Sequence, residues 1–197
     1  MAIAFTNDTR AARKAFDAYL IISADAALVT STASAEMIKY ASNAFLAAKV
    51  SFVNAIANLC EAVNADVREV VGGDLAGRAV AVWGLTFKAN TNDLRASPAV
   101  DVARRLLGEG ATVRGYDPAA GEAARAVLPG LEVVADPYEA CAGADVLCVL
   151  TEWDEFRWLD YERVATLLPG RAIVDARNVL DPAAMRHLGF TYRGVGR

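Results

Sequence analysis

Between residues 79 and 195, short apolar runs alternate with amphipathic segments, and this alternation limits the possible folds more than any other property of the chain. Strands are expected at Ala79 to Trp83, Thr112 to Tyr116, Glu132 to Val134, Val146 to Leu150, Ala172 to Val174 and Tyr192 to Val195. Helical patterns fall between them, near Ala99 to Leu107, Glu122 to Val127, Pro137 to Cys141, Tyr161 to Leu167 and Pro182 to His187. Such an order argues for an α/β fold, a doubly wound, mostly parallel, Rossmann-like sheet with right-handed crossovers. There is no internal repeat and no low-complexity linker.

A long helix precedes this unit. Ser34 suits an N-cap, Glu36 lies in the first turn, and Ile38, Ala41, Phe45, Ala48, Phe52, Ile56, Leu59 and Val63 recur at three- and four-residue steps. The spacing predicts one helix from Ser34 to near Asn64, on the order of 40 Å, with Gly72-Gly73 turning the chain into the next unit. So little chain precedes the helix that its stripe needs another surface, and self-association is expected. Residues 8 to 30 read as a short helix, Asp8 to about Leu20, followed by strand character at Tyr19 to Ile22 and Ala27 to Thr30. A strand without parallel neighbours exposes unpaired backbone, so this one is expected to be marginal or rescued by a partner. The resulting division is 1–33, 34–74 and 75–197.

Composition narrows the chemistry. At 197 residues and 55% hydrophobic, the chain can bury a real core. A net charge of -4 and a pI near 5.1 argue against a nucleic-acid footprint, which needs a clustered basic face. No stretch approaches the ~20 apolar residues of a membrane span, and a cytoplasmic protein is expected. Three cysteines without metal-ligand spacing suggest neither a disulfide framework nor a metal site. Cys60 and Cys148 read as core residues, Cys141 as a helix residue near the surface, and His187 as a surface residue near a helix end.

In an open α/β sheet, ligands sit beyond the carboxyl ends of the strands where strand order reverses. The loops after Trp83, Tyr116, Leu150 and Val174 carry Lys88, Arg95, Asp117, Glu152, Trp153 and Arg177. Cations suit a diphosphate and an aromatic suits a ring face. The stretch from Ala79 through Gly84 and Lys88 to Ser97-Pro98 therefore reads as strand, anion-binding loop and helix start. Other readings stay open: Lys88 as a solvated loop lysine, Arg177 neutralising Asp175 or Asp181, and Arg95 fixing its loop by pairing with Asp93. Gly84-Leu85-Thr86-Phe87-Lys88 lacks the second and third glycines that admit a pyrophosphate, so NAD is not expected there. Lys39 and Asn43, four residues apart, share one helix face and can converge on a single group, or stand as a surface lysine and an ordinary helix asparagine.

Several of these strings resemble the UDP-glucose/GDP-mannose dehydrogenase family. Gly84-Leu85-Thr86-Phe87-Lys88 with Thr91 to Pro98 is similar to the opening of its nucleotide-sugar domain, and Ser34 to Phe45 to its central helix. Thr151-Glu152-Trp153 with Phe156 and Asp160, Asp175-Ala176-Arg177-Asn178 and Gly194-Val195-Gly196-Arg197 follow in family order. The resemblance implies nucleotide-sugar contacts at Phe87, Lys88 and Arg177, with Arg95 a further candidate, and oxyanion stabilisation by Lys39 and Asn43. It implies NAD-dependent oxidation of a sugar alcohol through a cysteine-bound intermediate, and a dimer built on the central helix. Thr151-Glu152-Trp153 is closer to the UDP-glucose branch than to the N-acetylhexosamine branch. Two family features are not found: the Gly-rich dinucleotide fingerprint, and the G-G-S-C-x-P-K-D nucleophile loop, in whose place Gly72-Gly73-Asp74 runs straight into Leu75-Ala76-Gly77-Arg78. The expectation is a truncated member that binds a UDP-sugar, holds no cofactor of its own and is inactive alone. It would pair as a homodimer, or as a heterodimer with a full-length homologue. A non-catalytic assembly partner, a decayed gene product and an internally deleted working enzyme remain as alternatives.

Overall fold

The computed structural model describes residues 2–4, 27–29 and 32–195. The chain divides into two compact units, Met1–Ala55 and Ile56–Arg197. In the first, β1 (Ala2–Ala4) pairs in parallel with β2 (Ala27–Val29), Ile3 opposite Leu28. The strand expected at Ala27 to Thr30 thus finds a neighbour in the chain's own first residues, a pairing that three apolar residues at Ala2 to Ala4 are too few to announce. The helix expected from Asp8 to Leu20 and the apolar Tyr19 to Ile22 lie outside the described residues.

Helix α1 spans Thr32–Val71, 40 residues, or about 60 Å at 1.5 Å per residue. It does not end near Asn64, the expected limit, but runs on to Val71. Val67 continues the stripe one turn past Val63, and both are fully buried. The helix closes where Gly72 and Gly73 take positive φ and the Gly73 N–H donates to the Arg68 carbonyl at 2.9 Å, a left-handed C-terminal turn that glycine adopts without penalty.

The second unit holds a sheet of β3 (Ala79–Trp83), β4 (Thr112–Tyr116), β5 (Glu132–Val133), β6 (Val146–Val149), β7 (Ala172–Asp175) and β8 (Thr191–Gly194). Its spatial order is β5-β4-β3-β6-β7-β8, and every pairing is parallel. The strand order therefore reverses between β3 and β6. Helices α2 (Pro98–Gly108), α3 (Gly121–Val127), α4 (Pro137–Cys141), α5 (Tyr161–Leu167) and α6 (Pro182–His187) make the crossovers.

Side-chain alternation along the strands builds two cores. Val80 and Val82 face one layer with Cys60, Val63 and Val67 of α1 and Val102 and Leu106 of α2. Ala81 and Trp83 face the other, with Cys141 of α4, Val164 of α5 and Met185 of α6. Fully buried Trp83 stacks on Phe156 at 5.3 Å between ring centres and donates its indole N–H to the Pro137 carbonyl at 2.9 Å, so its one polar atom is satisfied. Cys141, expected near the surface, is completely buried because its short helix packs flat on this face. His187 is exposed.

Candidate functional site

The connection from β3 to α2 occupies residues 84–97 and begins on a constrained glycine. Gly84 has φ +86°, and a Cβ there would lie 2.5 Å from the Thr151 Cβ. The glycine thus lets the β3 and β6 loops touch, and the Thr151 hydroxyl donates to the Thr86 carbonyl at 2.8 Å across the same contact. Further along, the Ser97 hydroxyl donates to the Leu85 carbonyl at 2.7 Å, so Ser97 ties the helix start to the loop and does not cap the helix.

Asp117, at the end of β4, stands where a dinucleotide fold of this strand order would offer an acid to a ribose. Here both of its oxygens are already engaged. One accepts the Leu85 N–H at 2.7 Å, the Thr86 N–H at 3.0 Å, the Thr86 hydroxyl at 3.1 Å and the Trp153 indole N–H at 3.3 Å; the other accepts the Ala119 and Ala120 N–H groups, both at 2.9 Å. A buried carboxylate with this many donors is a structural node. A cavity of about 520 Å³ opens beside it, lined by residues such as Pro118, Glu122, Arg125 and Val134. Size alone does not make it the functional site, because neither Lys88 nor Arg177 lines it and its buried acid is saturated. A fourteen-residue loop in place of a tight Gly-rich turn, together with an occupied Asp117, does not fit a dinucleotide at this sheet.

The cations gather at the reversal point. Lys88 is exposed, its carbonyl accepting from the Thr91 hydroxyl at 2.9 Å, and among the described residues no hydrogen bond or ion pair engages its ammonium. Phe87 beside it is half-buried, its N–H donating to the Asp93 carbonyl at 2.8 Å. Arg95 forks onto Asp93 through two hydrogen bonds of 2.9 Å, and this guanidinium holds the Asp93 carboxyl down to about 2. Arg95 therefore closes its own loop.

Arg177 follows β7. It does not neutralise Asp175 or Asp181, the alternatives its sequence position offers. Buried Asp175 accepts the Arg177 and Leu180 N–H groups and the Tyr192 hydroxyl, and Asp181 caps α6 through the Ala183 and Ala184 N–H groups. The Arg177 guanidinium turns back to β6 instead: its Nε–H donates to the Leu150 carbonyl at 3.1 Å and lies 3.4 Å from Glu152 Oε2. Among the described residues nothing hydrogen-bonds its two terminal nitrogens. A guanidinium held at its neck with its fork open is prepared to take a phosphate bidentately.

Lys39 and Asn43 lie on α1 in the first unit, both exposed. The three cysteines are buried. Burial pushes the Cys141 and Cys148 thiols up to about 12 and moves Cys60 in the same direction, so none supplies a thiolate near neutral pH.

A sequence model of the UDP-glucose/GDP-mannose dehydrogenase family's UDP binding domain matches residues 81–182, and that of its central domain matches residues 33–77. The chain belongs to the UDP-glucose/GDP-mannose dehydrogenase family. UDP-glucose 6-dehydrogenase from Rhizobium meliloti is 35% identical over 236 residues, covering 85% of this chain and 54% of that protein. UDP-glucose 6-dehydrogenase TuaD from Bacillus subtilis is 33% identical, covering 85% and 51%. A UDP-glucose dehydrogenase structure from Pyrobaculum islandicum, 28% identical, superposes with a TM-score of 0.63 over 98% of this chain and 58% of that one. The chain spans about half the length of the curated relatives it matches. In the Rhizobium comparison a 236-residue stretch meets 85% of 197 residues, or about 167, so part of that stretch has no counterpart here.

Proposed function

We propose that this member of the family binds a UDP-sugar at the reversal point, with the open fork of Arg177 and the free ammonium of Lys88 as its diphosphate contacts and Phe87 beside them. The observation that carries this reading is the state of Arg177, anchored through Nε and unoccupied at its terminal nitrogens, inside the segment matching the UDP binding domain. Relatives named UDP-glucose 6-dehydrogenase point to UDP-glucose as the sugar nucleotide. Calorimetry with UDP and UDP-glucose tests it: binding in the micromolar to millimolar range is expected, and no heat at millimolar UDP overturns it.

The same reading makes the chain a UDP-sugar-binding relative of the dehydrogenases. NAD-dependent oxidation belongs to the full-length relatives, and the residues around Gly84 and Asp117 do not fit the dinucleotide. Lys39 and Asn43 keep one helix face on which oxyanion charge could be stabilised, but with no buried thiol ionised near neutral pH they have no covalent chemistry to assist. The second reading, an assembly partner that pairs with itself or with a full-length homologue, is favoured by the exposed apolar side chains of α1. Met37, Tyr40, Phe45 and Leu46 are 59–73% exposed, a run of large side chains unusual for a solvated helix.

A further inference from the structure

Glu152, in the loop that follows β6, touches both arms of the anion site. One carboxylate oxygen accepts the Ala89 N–H, next to Lys88, in a long hydrogen bond of 3.4 Å. The other, buried and without a hydrogen-bond partner, faces Arg177 Nε at 3.4 Å. That second contact is electrostatic: the Nε–H points to the Leu150 carbonyl, while the carboxylate lies alongside the neck of the guanidinium. The carboxylate leaves the fork of Arg177 open, so it does not compete with a phosphate for it. A buried carboxylate oxygen with no donor is costly unless a neighbouring charge compensates it, and Arg177 is the group in place to do so.

From this geometry we infer that Glu152 is a positioning residue, a single carboxylate that sets the span between the Lys88 loop and Arg177 and so tunes the site to two linked phosphates rather than one. The inference rests on the UDP-binding reading above. A span fixed between two cations matches a diphosphate at both ends, whereas a monophosphate uses one end only and gains little from it. Loss of Glu152 frees Arg177 to swing on its four-bond stem and lets the 84–97 loop relax at Ala89, which weakens UDP far more than UMP.

The experiment uses the intact chain with Glu152→Ala, Glu152→Gln and Arg177→Ala, alone and as the double variant E152A/R177A. Two measurements are made: UDP and UMP affinity by calorimetry, and solvent exchange of the Arg177 Nε–H by nitrogen-15 NMR without ligand. For E152A, UDP affinity is expected to fall roughly tenfold with UMP changed less than about threefold. E152Q, which can still accept from Ala89, should recover part of the loss, and the double variant should bind no more weakly than R177A alone. Exchange at Arg177 Nε should quicken in E152A. Equal losses for UDP and UMP, additive losses in the double variant, or unchanged exchange would each overturn the inference. A wild type that binds neither nucleotide overturns the UDP-binding reading instead, and Nε–H exchange still decides whether Glu152 positions Arg177. If E152A fails to fold, E152Q carries the same comparisons.

Discussion

Lys88 and Arg177 are both cations of strand-end loops, yet they are held in opposite ways, and the difference sets what their removal should do. Among the described residues no hydrogen bond or ion pair engages the Lys88 ammonium, so Lys88→Ala removes no internal polar bond and should act on ligand alone. It should cost ~1.5–3 kcal/mol of UDP affinity, roughly tenfold or more, with the melting temperature unchanged. A stable K88A that binds UDP as the wild type does would remove Lys88 from the site. Gly84→Ala should do the reverse. Its methyl would meet Thr151 at 2.5 Å on a backbone of φ +86°, so a loss of ~1–3 kcal/mol of stability in urea titration is expected. At this scale the sequence revealed which residue types stood in the loops but not what they touched. Arg177 has two acids within four residues, and sequence proximity favoured them; the fold gave both to backbone N–H groups and sent the guanidinium to Leu150 and Glu152, whose nearness exists only once β6 and β7 pair.

Among the elements, the short ones of the sheet were legible because each is bounded by Gly, Pro or an N-capping acid. Asp136 before Pro137 and Asp181 before Pro182 each cap a helix that begins where the sequence placed it. The long helix runs past its expected end near Asn64, because the stripe read as far as Val63 continues to Val67 and both are buried against Val80 and Val82 of the sheet. Its other end is where association is expected. Phe45 is 73% exposed, while the side chains of Phe52 and Ile56 lie outside the described residues. Phe45→Asp should convert a dimer to monomer, or to aggregate if the apolar side chains around it then lie uncovered. Sedimentation at micromolar concentration decides it, and a wild type that sediments as a monomer speaks against the whole helix as an interface.

For the molecule as a whole, the last expectation is chemical: purified alone, the chain will not form NADH from UDP-glucose and NAD. Oxidation of a sugar alcohol through a covalent intermediate needs a thiolate at the reacting carbon and a nicotinamide held against it. Thiols pushed to about 12 at Cys141 and Cys148 are protonated by several orders of magnitude at pH 7.5, and all three cysteines lie inside the two cores, Cys60 and Cys148 in one and Cys141 in the other. They should resist iodoacetamide in the native state at pH 8 and react once urea opens the sheet. The place where a fold of this strand order would bind a dinucleotide has a fourteen-residue loop anchored by Ser97 and Thr151, and an Asp117 whose oxygens are occupied. The assay is run with this chain alone and after mixing with a full-length homologue, which would complete the surroundings of Lys39 and Asn43. Turnover by the chain alone, abolished by Cys60→Ser or Cys148→Ser, would mean that a core thiol becomes exposed and ionised in a working enzyme, and the picture of a binding unit without its own chemistry would have to be given up.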